Sequence, residues 1–325
     1  MDCLDLGTDP AIPGADDDGK APGSASPRRA HYELADVFTT KAFGGNPLAL
    51  FPDASAIPDP WLQRIAAELN LSETAFAYPM GEREWRLRIF TPTMEHPFAG
   101  HPTIGSALLL AEAHELTELT LHEQVGPVRL TIDRPKDRSP IARLSVPVDP
   151  EERPVDLPLE EIAEMVSLDA AQIGSQAIAP RAMSCGVPFL FIRVRDRRAL
   201  GAARLQKDRW EKLIARSWAP HVYLFVVTAS GDVQARMFAP LMGIEEDPAT
   251  GGAAAALAGV LAVQERVRSG EARWSIAQGI EMGRPSTLEL TAQLEGGRAS
   301  RIRVGGSAVR MGRGSLDLAL MEQSR

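Results

Sequence analysis

Three polar residues stand out as candidates for proton transfer, and one of them, Glu73, lies in a stretch that is otherwise apolar. Glu73 lies in the stretch NLSETAF, between a predicted helix and a predicted strand. A half-buried carboxyl group has a raised pKa, which suits a base that later returns its proton. His101 and Asp247 each stand in a turn that contains Gly and Pro. Two such groups on either side of one ligand could transfer a proton.

The turns belong to two stretches that resemble each other, Arg88–Glu112 and Arg236–Val260. Both begin with Arg, an apolar residue and Phe, pass an acidic loop and reach Pro within a Gly-bearing turn. Both then enter an Ala- and Leu-rich segment typical of a helix. Because His101-Pro102 stands in the first turn and Asp247-Pro248 in the second, we expect His101 and Asp247 to occupy corresponding positions.

Other matches in the same order indicate an internal duplication. A Gly-x-Pro turn followed by an apolar strand occurs at Gly45 and again, 141 residues later, at Gly186. The two Arg-apolar-Phe segments are 148 residues apart, and His101 and Asp247 are 146 apart. A period near 145 residues is too long for a solenoid repeat and indicates one domain copied once.

The predicted fold class is α+β, with a mostly antiparallel, curved sheet around a helix in each half, because strands outnumber helices and several follow one another directly. Parallel βαβ winding is the rival architecture. The first half is expected to span residues 31–147 together with about 313–325, and the second half 148–312. Residues 1–30 are rich in Asp, Pro, Gly and Ser, which predicts a disordered tail.

The start of each predicted helix suits a small anionic substrate, because free backbone N–H groups and the positive end of the helix dipole point outward there. Gly100, Gly251 and Gly252 carry no side chain that would block close approach. Taken singly, the turns have simpler readings: tight turns shaped by Gly and Pro, His101 as a cap of its own helix, and Asp247 as an N-cap. The duplication favours a ligand cleft between the halves.

The composition is that of an ordinary soluble globular protein, with 44% hydrophobic and 24% charged residues and a net charge of −8. No basic stripe with interleaved aromatic residues occurs, so nucleic acid is not an expected partner. The longest strongly apolar run, Ala253–Val263, is too short to span a bilayer. Cys3 and Cys185 lie far apart, which argues against a disulfide framework and predicts a cytoplasmic protein.

Three other kinds of site are disfavoured. No metal is expected, because His96 and His101 are five residues apart with Pro97 between them, unlike the four-residue spacing of zinc-protease ligands on a helix. A racemase with two catalytic thiols would need cysteines at the two turns, where His101 and Asp247 stand. The Gly-rich stretches lie among predicted strands rather than between a strand and a helix, which disfavours nucleotide binding.

A set of sequence blocks carries a family resemblance. The blocks are DVFTTKAFGGNPLALF, NLSETAF, RIFTPTMEHPFAGHPTIGSA, DPATGG and QGIEMGRPS, within Asp36–Ser286. Together they resemble the phenazine-biosynthesis isomerase family, the PhzF-like proteins. The resemblance implies the diaminopimelate epimerase fold: two pseudo-symmetric halves, each a β-barrel wrapped on a central α-helix, with the site in the cleft between them. It also implies a homodimer and an isomerase that works without a cofactor.

The resemblance assigns roles to the residues singled out above. Glu73 matches the general acid/base, which takes a proton from one carbon of a conjugated cyclic amino acid, such as 2,3-dihydro-3-hydroxyanthranilate, and returns it to another. His101 and Asp247 match the polar groups that complete the site. The residues at the substrate-contacting positions are Ser72, Gly100, Gly251 and Gly252.

Two residues depart from the family pattern. His96 stands where the family usually has an apolar residue, and Gly252 stands where it usually has Ser. The second change removes a hydroxyl group from the substrate-facing turn, which puts the identity of the substrate in question. The alternative to an enzyme is a catalytically silent small-molecule-binding protein that keeps the same fold.

Overall fold

A computed structural model describes residues 29–174, 179–264 and 269–319. Residues 1–28, nearly all of the predicted tail, lie outside the described residues. The first strand begins at Arg29, so the prediction that the tail extends to residue 30 is too long by two residues. Across the described ranges, no helix is long and apolar enough to cross a membrane.

Between residues 29 and 145 the structure contains eight strands and two helices. The strands are β1 (Arg29–Val37), β2 (Asn46–Phe51), β3 (Glu73–Gly81), β4 (Glu84–Phe90), β5 (Glu95–His96), β6 (Glu118–Glu123), β7 (Gly126–Asp133) and β8 (Ile141–Ser145). The helices are α1 (Asp59–Leu69) and α2 (Gly100–Ala113).

The described chain after residue 145 repeats this order. The strands are β9 (Glu151–Arg153), β10 (Arg181–Ser184), β11 (Pro188–Arg193), β12 (His221–Val227), β13 (Val233–Ala239), β14 (Ile244–Asp247), β15 (Gly270–Gln278), β16 (Ser286–Glu295), β17 (Arg298–Gly306) and β18 (Ala308–Asp317). The helices are α3 (Leu159–Met165), α4 (Arg197–Ala202), α5 (Lys207–Leu213) and α6 (Gly251–Gln264).

The same scheme of strand pairing occurs in both halves. In the first half β1–β2, β3–β4, β6–β7 and β7–β8 are antiparallel, whereas β2–β3 and β4–β6 are parallel. In the second half β10–β11, β12–β13, β15–β16 and β16–β17 are antiparallel, whereas β11–β12 and β13–β15 are parallel. The predicted duplication and the predominance of antiparallel pairing are therefore confirmed, and a sheet wound entirely from parallel βαβ units is not the architecture.

The helices α2 and α6 lie at the centres of the two halves. Every residue from His101 to Ala111 in α2 is buried, as is every residue from Ala253 to Ala262 in α6. A helix that is apolar on all sides requires a complete apolar enclosure. The curved sheet of each half supplies it, and one continuous core contains both helices. This is the predicted diaminopimelate epimerase-like fold.

The last strand returns to the first half. β18 pairs with β1 along its whole length, from Ala308 opposite Val37 to Asp317 opposite Arg29. The boundary predicted near residue 313 is therefore wrong by about five residues, because the chain crosses to the free edge of β1 directly after β17. The halves are also joined by antiparallel pairing of β8 with β17.

Candidate active site

Strand pairing assigns the equivalent positions of the two halves. In the parallel pair β2–β3, Leu48 lies opposite Glu73, and in the parallel pair β11–β12, Phe189 lies opposite His221. Leu48 and Phe189 both directly follow the Gly-x-Pro turn. His221 is therefore the equivalent of Glu73, and the second half carries an imidazole where the first carries a carboxyl group.

The equivalent of Asp247 is His96. His96 lies opposite Ile89 in the β4–β5 pair, and Asp247 lies opposite Met237 in the β13–β14 pair. The prediction that His101 corresponds to Asp247 is therefore wrong. His96 and Asp247 are 151 residues apart, which is also the spacing between the first residues of the two central helices, so the position of His101 corresponds to that of Gly252.

Matching ion pairs fix these two positions. The Arg88 guanidinium donates from Nε to Glu95 Oε1 at 2.7 Å, and the Arg236 guanidinium donates from Nε to Glu246 Oε1 at 2.8 Å. Each glutamate directly precedes the residue that faces the cleft. The segment from the arginine to the cleft-facing residue, His96 or Asp247, is three residues longer in the second half. Because of this difference in length, the spacing of the turns did not identify His96 as the equivalent of Asp247.

The two central helices meet at their N-termini. A Cβ atom on Gly100 would lie 2.9 Å from Gly251 Cα, and one on Gly251 would lie 3.1 Å from Gly100 Cα. α2 begins at Gly100, and its N-cap is Ala99 without a side-chain cap hydrogen bond. Thus His101 does not cap its helix, and Asp247 lies in β14, before α6 begins.

A cavity opens at this meeting point, with walls from both halves. The residues lining it are Glu73, His96, Phe98, Ala99, Gly100, His101, Val187, Phe189, Met237, Met242, Ile244, Asp247, Ala249, Thr250, Gly251 and Gly252. All the predicted site residues except Ser72 are among them. No Lys, Arg or Cys is found in this lining of described residues, so an anion would rely on backbone N–H groups and histidines for its contacts.

Glu73 is held in the cavity wall by the alternation of β3. Ala75 and Ala77, two and four residues later, belong to the core around α2, so Glu73 points to the same inner face. Its side chain is 11% exposed, and Oε2 has no hydrogen-bond partner among the described residues. Burial raises the pKa of Glu73 well above its ordinary value, and the negative charge of Asp247 raises it further. This direction agrees with the expectation from the sequence.

Asp247 is buried too, but its oxygens are satisfied. Oδ1 accepts a hydrogen bond from Asn46 Nδ2 at 2.8 Å, and Oδ2 accepts one from the Thr250 hydroxyl. Burial raises the pKa of Asp247 to about 6, while these hydrogen bonds oppose the rise. Since hydrogen bonds stabilise the charged form, Asp247 ionises at a lower pH than Glu73.

Sequence reasoning missed two residues that hold Asp247. Asn46 reaches it from the first half, and Gln278 donates from Nε2 to the Asp247 carbonyl at 2.7 Å and to Thr250 Oγ1 at 2.9 Å. Both lie inside blocks that carried the family resemblance, FGGNP and QGIEMGRPS. That position was the available signal, although the residue types alone suggested a turn and a strand end.

His101 completes the cluster as a neutral group. Its Nδ1 atom lies 3.4 Å from Glu73 Oε2, and Nε2 is buried without a hydrogen-bond partner among the described residues. Burial lowers the pKa of His101 to about 3, against a smaller opposing effect of the Pro47 carbonyl. The site thus combines an ionisable Asp247, a Glu73 whose pKa is raised and a neutral imidazole.

A positioned carboxyl group or imidazole can act as a general acid or base, and this cleft between two equivalent halves contains both. The chain belongs to the PhzF-like family: the family described as phenazine biosynthesis-like protein (PhzC-PhzF) matches residues 35–314. The homologues of this family include named isomerases, and this chain is an enzyme of that isomerase family.

Three known proteins illustrate the similarity. The chain is 39% identical over 297 residues to an uncharacterized isomerase of Mesorhizobium japonicum, covering 88% of this chain and 98% of that protein. It is 32% identical over 289 residues to trans-2,3-dihydro-3-hydroxyanthranilate isomerase of Pseudomonas chlororaphis, covering 89% and 99%. A crystal structure of a Bacillus anthracis PhzF-family protein shares the fold, with a TM-score of 0.81, 21% identity and coverage of 89% and 99%.

Proposed function

We propose that the protein is a cofactor-independent isomerase that moves a proton between two carbons of a small conjugated carboxylate or amino acid, with Glu73 as the acid/base. The observation that carries this proposal is the Glu73 side chain, a buried carboxyl group beside two helix N-termini, one oxygen of which has no hydrogen-bond partner among the described residues. The relative from Pseudomonas chlororaphis suggests a substrate similar to trans-2,3-dihydro-3-hydroxyanthranilate.

The proposed cycle needs no external reactant. The Glu73 carboxylate takes a proton from one carbon, and the electrons of the broken C–H bond move into the conjugated system. The resulting Glu73 carboxylic acid then gives the proton to another carbon, so substrate and product are isomers and the enzyme is restored. Burial raises the pKa of Glu73, so kcat/KM should rise with pH as the carboxylate form becomes more abundant.

The remaining cavity groups have supporting roles in this proposal. The N-terminal backbone of α2 and α6, at Gly100, Gly251 and Gly252, binds the substrate carboxylate through N–H groups. His101 and Asp247 hydrogen-bond the polar substituents near the reacting carbons. The homodimer implied by the family resemblance stays a prediction, which light scattering of the purified protein would test.

Deuterium exchange tests the role of Glu73. The protein is incubated with trans-2,3-dihydro-3-hydroxyanthranilate in deuterated water, and deuterium at carbon is followed by NMR. The wild-type protein should incorporate deuterium, and Glu73→Gln should lower the rate by at least about 100-fold. Glu68→Gln removes the same charge from an exposed position of α1 and should leave the rate unchanged.

The outcomes separate the alternatives. Equal exchange by Glu73→Gln and wild type would refute the role of Glu73. Tight binding by the wild type without exchange would identify the catalytically silent binding protein instead. Loss of exchange after dialysis against a chelator, with recovery on adding a metal ion, would refute cofactor independence.

A further inference from the structure

The pseudo-twofold relation of the halves places two polar pairs around the cavity. Glu73 of the first half and Asp247 of the second form an acidic pair, since the charge of Asp247 acts on Glu73. Their equivalents are His221 of the second half and His96 of the first. Exchanging the two halves by the pseudo-twofold relation moves the acidic pair onto the positions of His221 and His96. The chain therefore carries a pair of imidazoles related by pseudo-symmetry to the acidic pair.

His96 has direct access to the cavity. It is half-buried and lines the same cavity as Glu73, with Phe189 and Met237 in the adjoining wall. Its position is fixed because the preceding residue, Glu95, is held by the Arg88 guanidinium. No hydrogen bond to the His96 ring is formed by any residue in the described ranges, so the ring is free to bind a ligand.

His221 lies behind this wall. Along β12 the inner face carries Tyr223 and Phe225, which belong to the core around α6, so His221 points inward as well. The residue is 6% exposed, and its Nδ1 atom has no hydrogen-bond partner among the described residues. Its ring packs against the Phe189 ring at a centroid distance of 5.7 Å. A buried polar atom without a partner is costly, which favours a partner that the free chain does not provide.

The two imidazoles are electrostatically coupled. Burial lowers the pKa of both rings, and a positive charge on His96 would lower that of His221 further, to about 4. The other titratable groups facing the cavity are Glu73, His101 and Asp247. Both rings of the pair are therefore neutral near pH 7, when each can donate one hydrogen bond and accept one.

We propose that His96 and His221 form a second polar subsite of the cavity, in which His96 binds an oxygen substituent of the substrate, a hydroxyl or a carboxylate, on the side away from Glu73. His221 is a positioning residue: its ring packs against Phe189, which lines the same cavity as His96. This inference rests on the proposed function in one respect, that the reacting carbon of the substrate lies at Glu73.

Binding of simple aromatic acids tests the subsite without requiring turnover. The probes are benzoate, the three hydroxybenzoates and the three benzenedicarboxylates, measured by titration calorimetry at pH 7. The wild type should bind at least one substituted probe about tenfold more tightly than benzoate, the effect of one good hydrogen bond. His96→Leu should remove this preference and leave the affinity for benzoate unchanged. His221→Leu should reduce the preference by less.

Proton uptake and two further variants provide additional tests of the subsite. A carboxylate beside the imidazoles should cause proton uptake on binding, seen as a difference between buffers of unequal ionisation enthalpy, whereas a hydroxyl should not. His96→Gln keeps a hydrogen-bond donor and should retain part of the preference, which guards against a folding defect in His96→Leu. His122→Leu removes a histidine outside the cavity lining and should behave as wild type.

The failure of this proposal differs from the failure of the isomerase proposal. The subsite proposal would be overturned if the wild type bound no substituted probe more tightly than benzoate. It would also be overturned if His96→Leu kept the wild-type preference for a substituted probe. Absence of deuterium exchange with a preserved preference would instead overturn the isomerase proposal and leave the subsite intact.

Discussion

Glu123, the last residue of β6, offers a test of how burial beside α2 changes the pKa of a carboxyl group. Its Oε1 atom is 2.7 Å from the Thr103 hydroxyl, which is also 2.7 Å from the carbonyl of Ala99, the N-cap of α2. A hydroxyl group has one hydrogen to donate. When Thr103 donates it to the carbonyl, the carboxyl group must be protonated to donate to Thr103. Burial raises the pKa of Glu123 to about 8, and the hydrogen bond with Thr103 opposes part of this rise.

The size of the change in the free energy of unfolding follows from the pKa shift of Glu123. The ordinary pKa of a Glu side chain is 4.5, so between pH 4.5 and 8 the unfolded chain releases a proton that the folded chain keeps. The folded pKa is the higher one, so this contribution to stability is complete below the lower value and is lost as pH rises toward the higher. At 1.36 kcal/mol per pKa unit, the loss is about 3 kcal/mol at pH 7 and about 5 kcal/mol above pH 8.

Glu123→Gln should remove this dependence, because the amide is neutral at every pH and can donate to Thr103. The free energy of unfolding is measured in urea at several pH values from about 4.5 to 8.5. The difference between variant and wild type should move in favour of the variant by about 5 kcal/mol across this range. Any constant effect of the amide cancels in that comparison.

The test includes a control variant and a result that would refute the reasoning. Glu68→Gln makes the same substitution at an exposed position of α1, and its difference from wild type should change little across the same range. If the difference between Glu123→Gln and wild type stays constant from acidic to alkaline pH, Glu123 is ionised in the folded protein and the reasoning is refuted.

Three further variants address the cavity. Asp247→Asn removes the charge that raises the pKa of Glu73, so the acidic limb of the pH profile of kcat/KM should move to lower pH; an unchanged limb would contradict the coupling. Gly100→Ala places a Cβ atom 2.9 Å from Gly251 Cα and should cost about 1–3 kcal/mol in urea unfolding. Gly252→Ser has no atom nearer than 3.9 Å to its Cβ, so stability should be unchanged while the KM for substrate shifts; a loss as large as that of Gly100→Ala would show that the turn has no spare room.

The fold could be predicted because the evidence for it is repeated along the chain. The Gly-x-Pro turns at Gly45 and Gly186 and the two Arg-apolar-Phe strands recur in one order, and each is followed by an Ala- and Leu-rich segment that is buried on all sides. Such a segment requires a surrounding sheet, whatever the loop lengths are. The architecture therefore did not depend on the alignment of single residues.

The prediction of the site did depend on aligning single residues of the two halves, and it was less accurate than the prediction of the fold. His101 was matched to Asp247 because both precede Pro, yet His96 also precedes Pro. The segments HPFAG and DPATG share the spacing from Pro to Gly, and this signal pairs His96 with Asp247. The equivalence of Glu73 and His221 rests on strand register, which follows from hydrogen bonding across the sheet and cannot be read from one strand alone.

The pairing of β8 with β17 has a consequence for the chain as a whole. A fragment ending at Ser145 would leave β8 without β17 and β1 without β18. Unpaired strand edges of this kind recruit other strands and promote aggregation. Although the two halves repeat one plan, neither is a self-contained unit: each shields the other's open sheet edge, so splitting the gene would produce two fragments that must find each other to remain in solution.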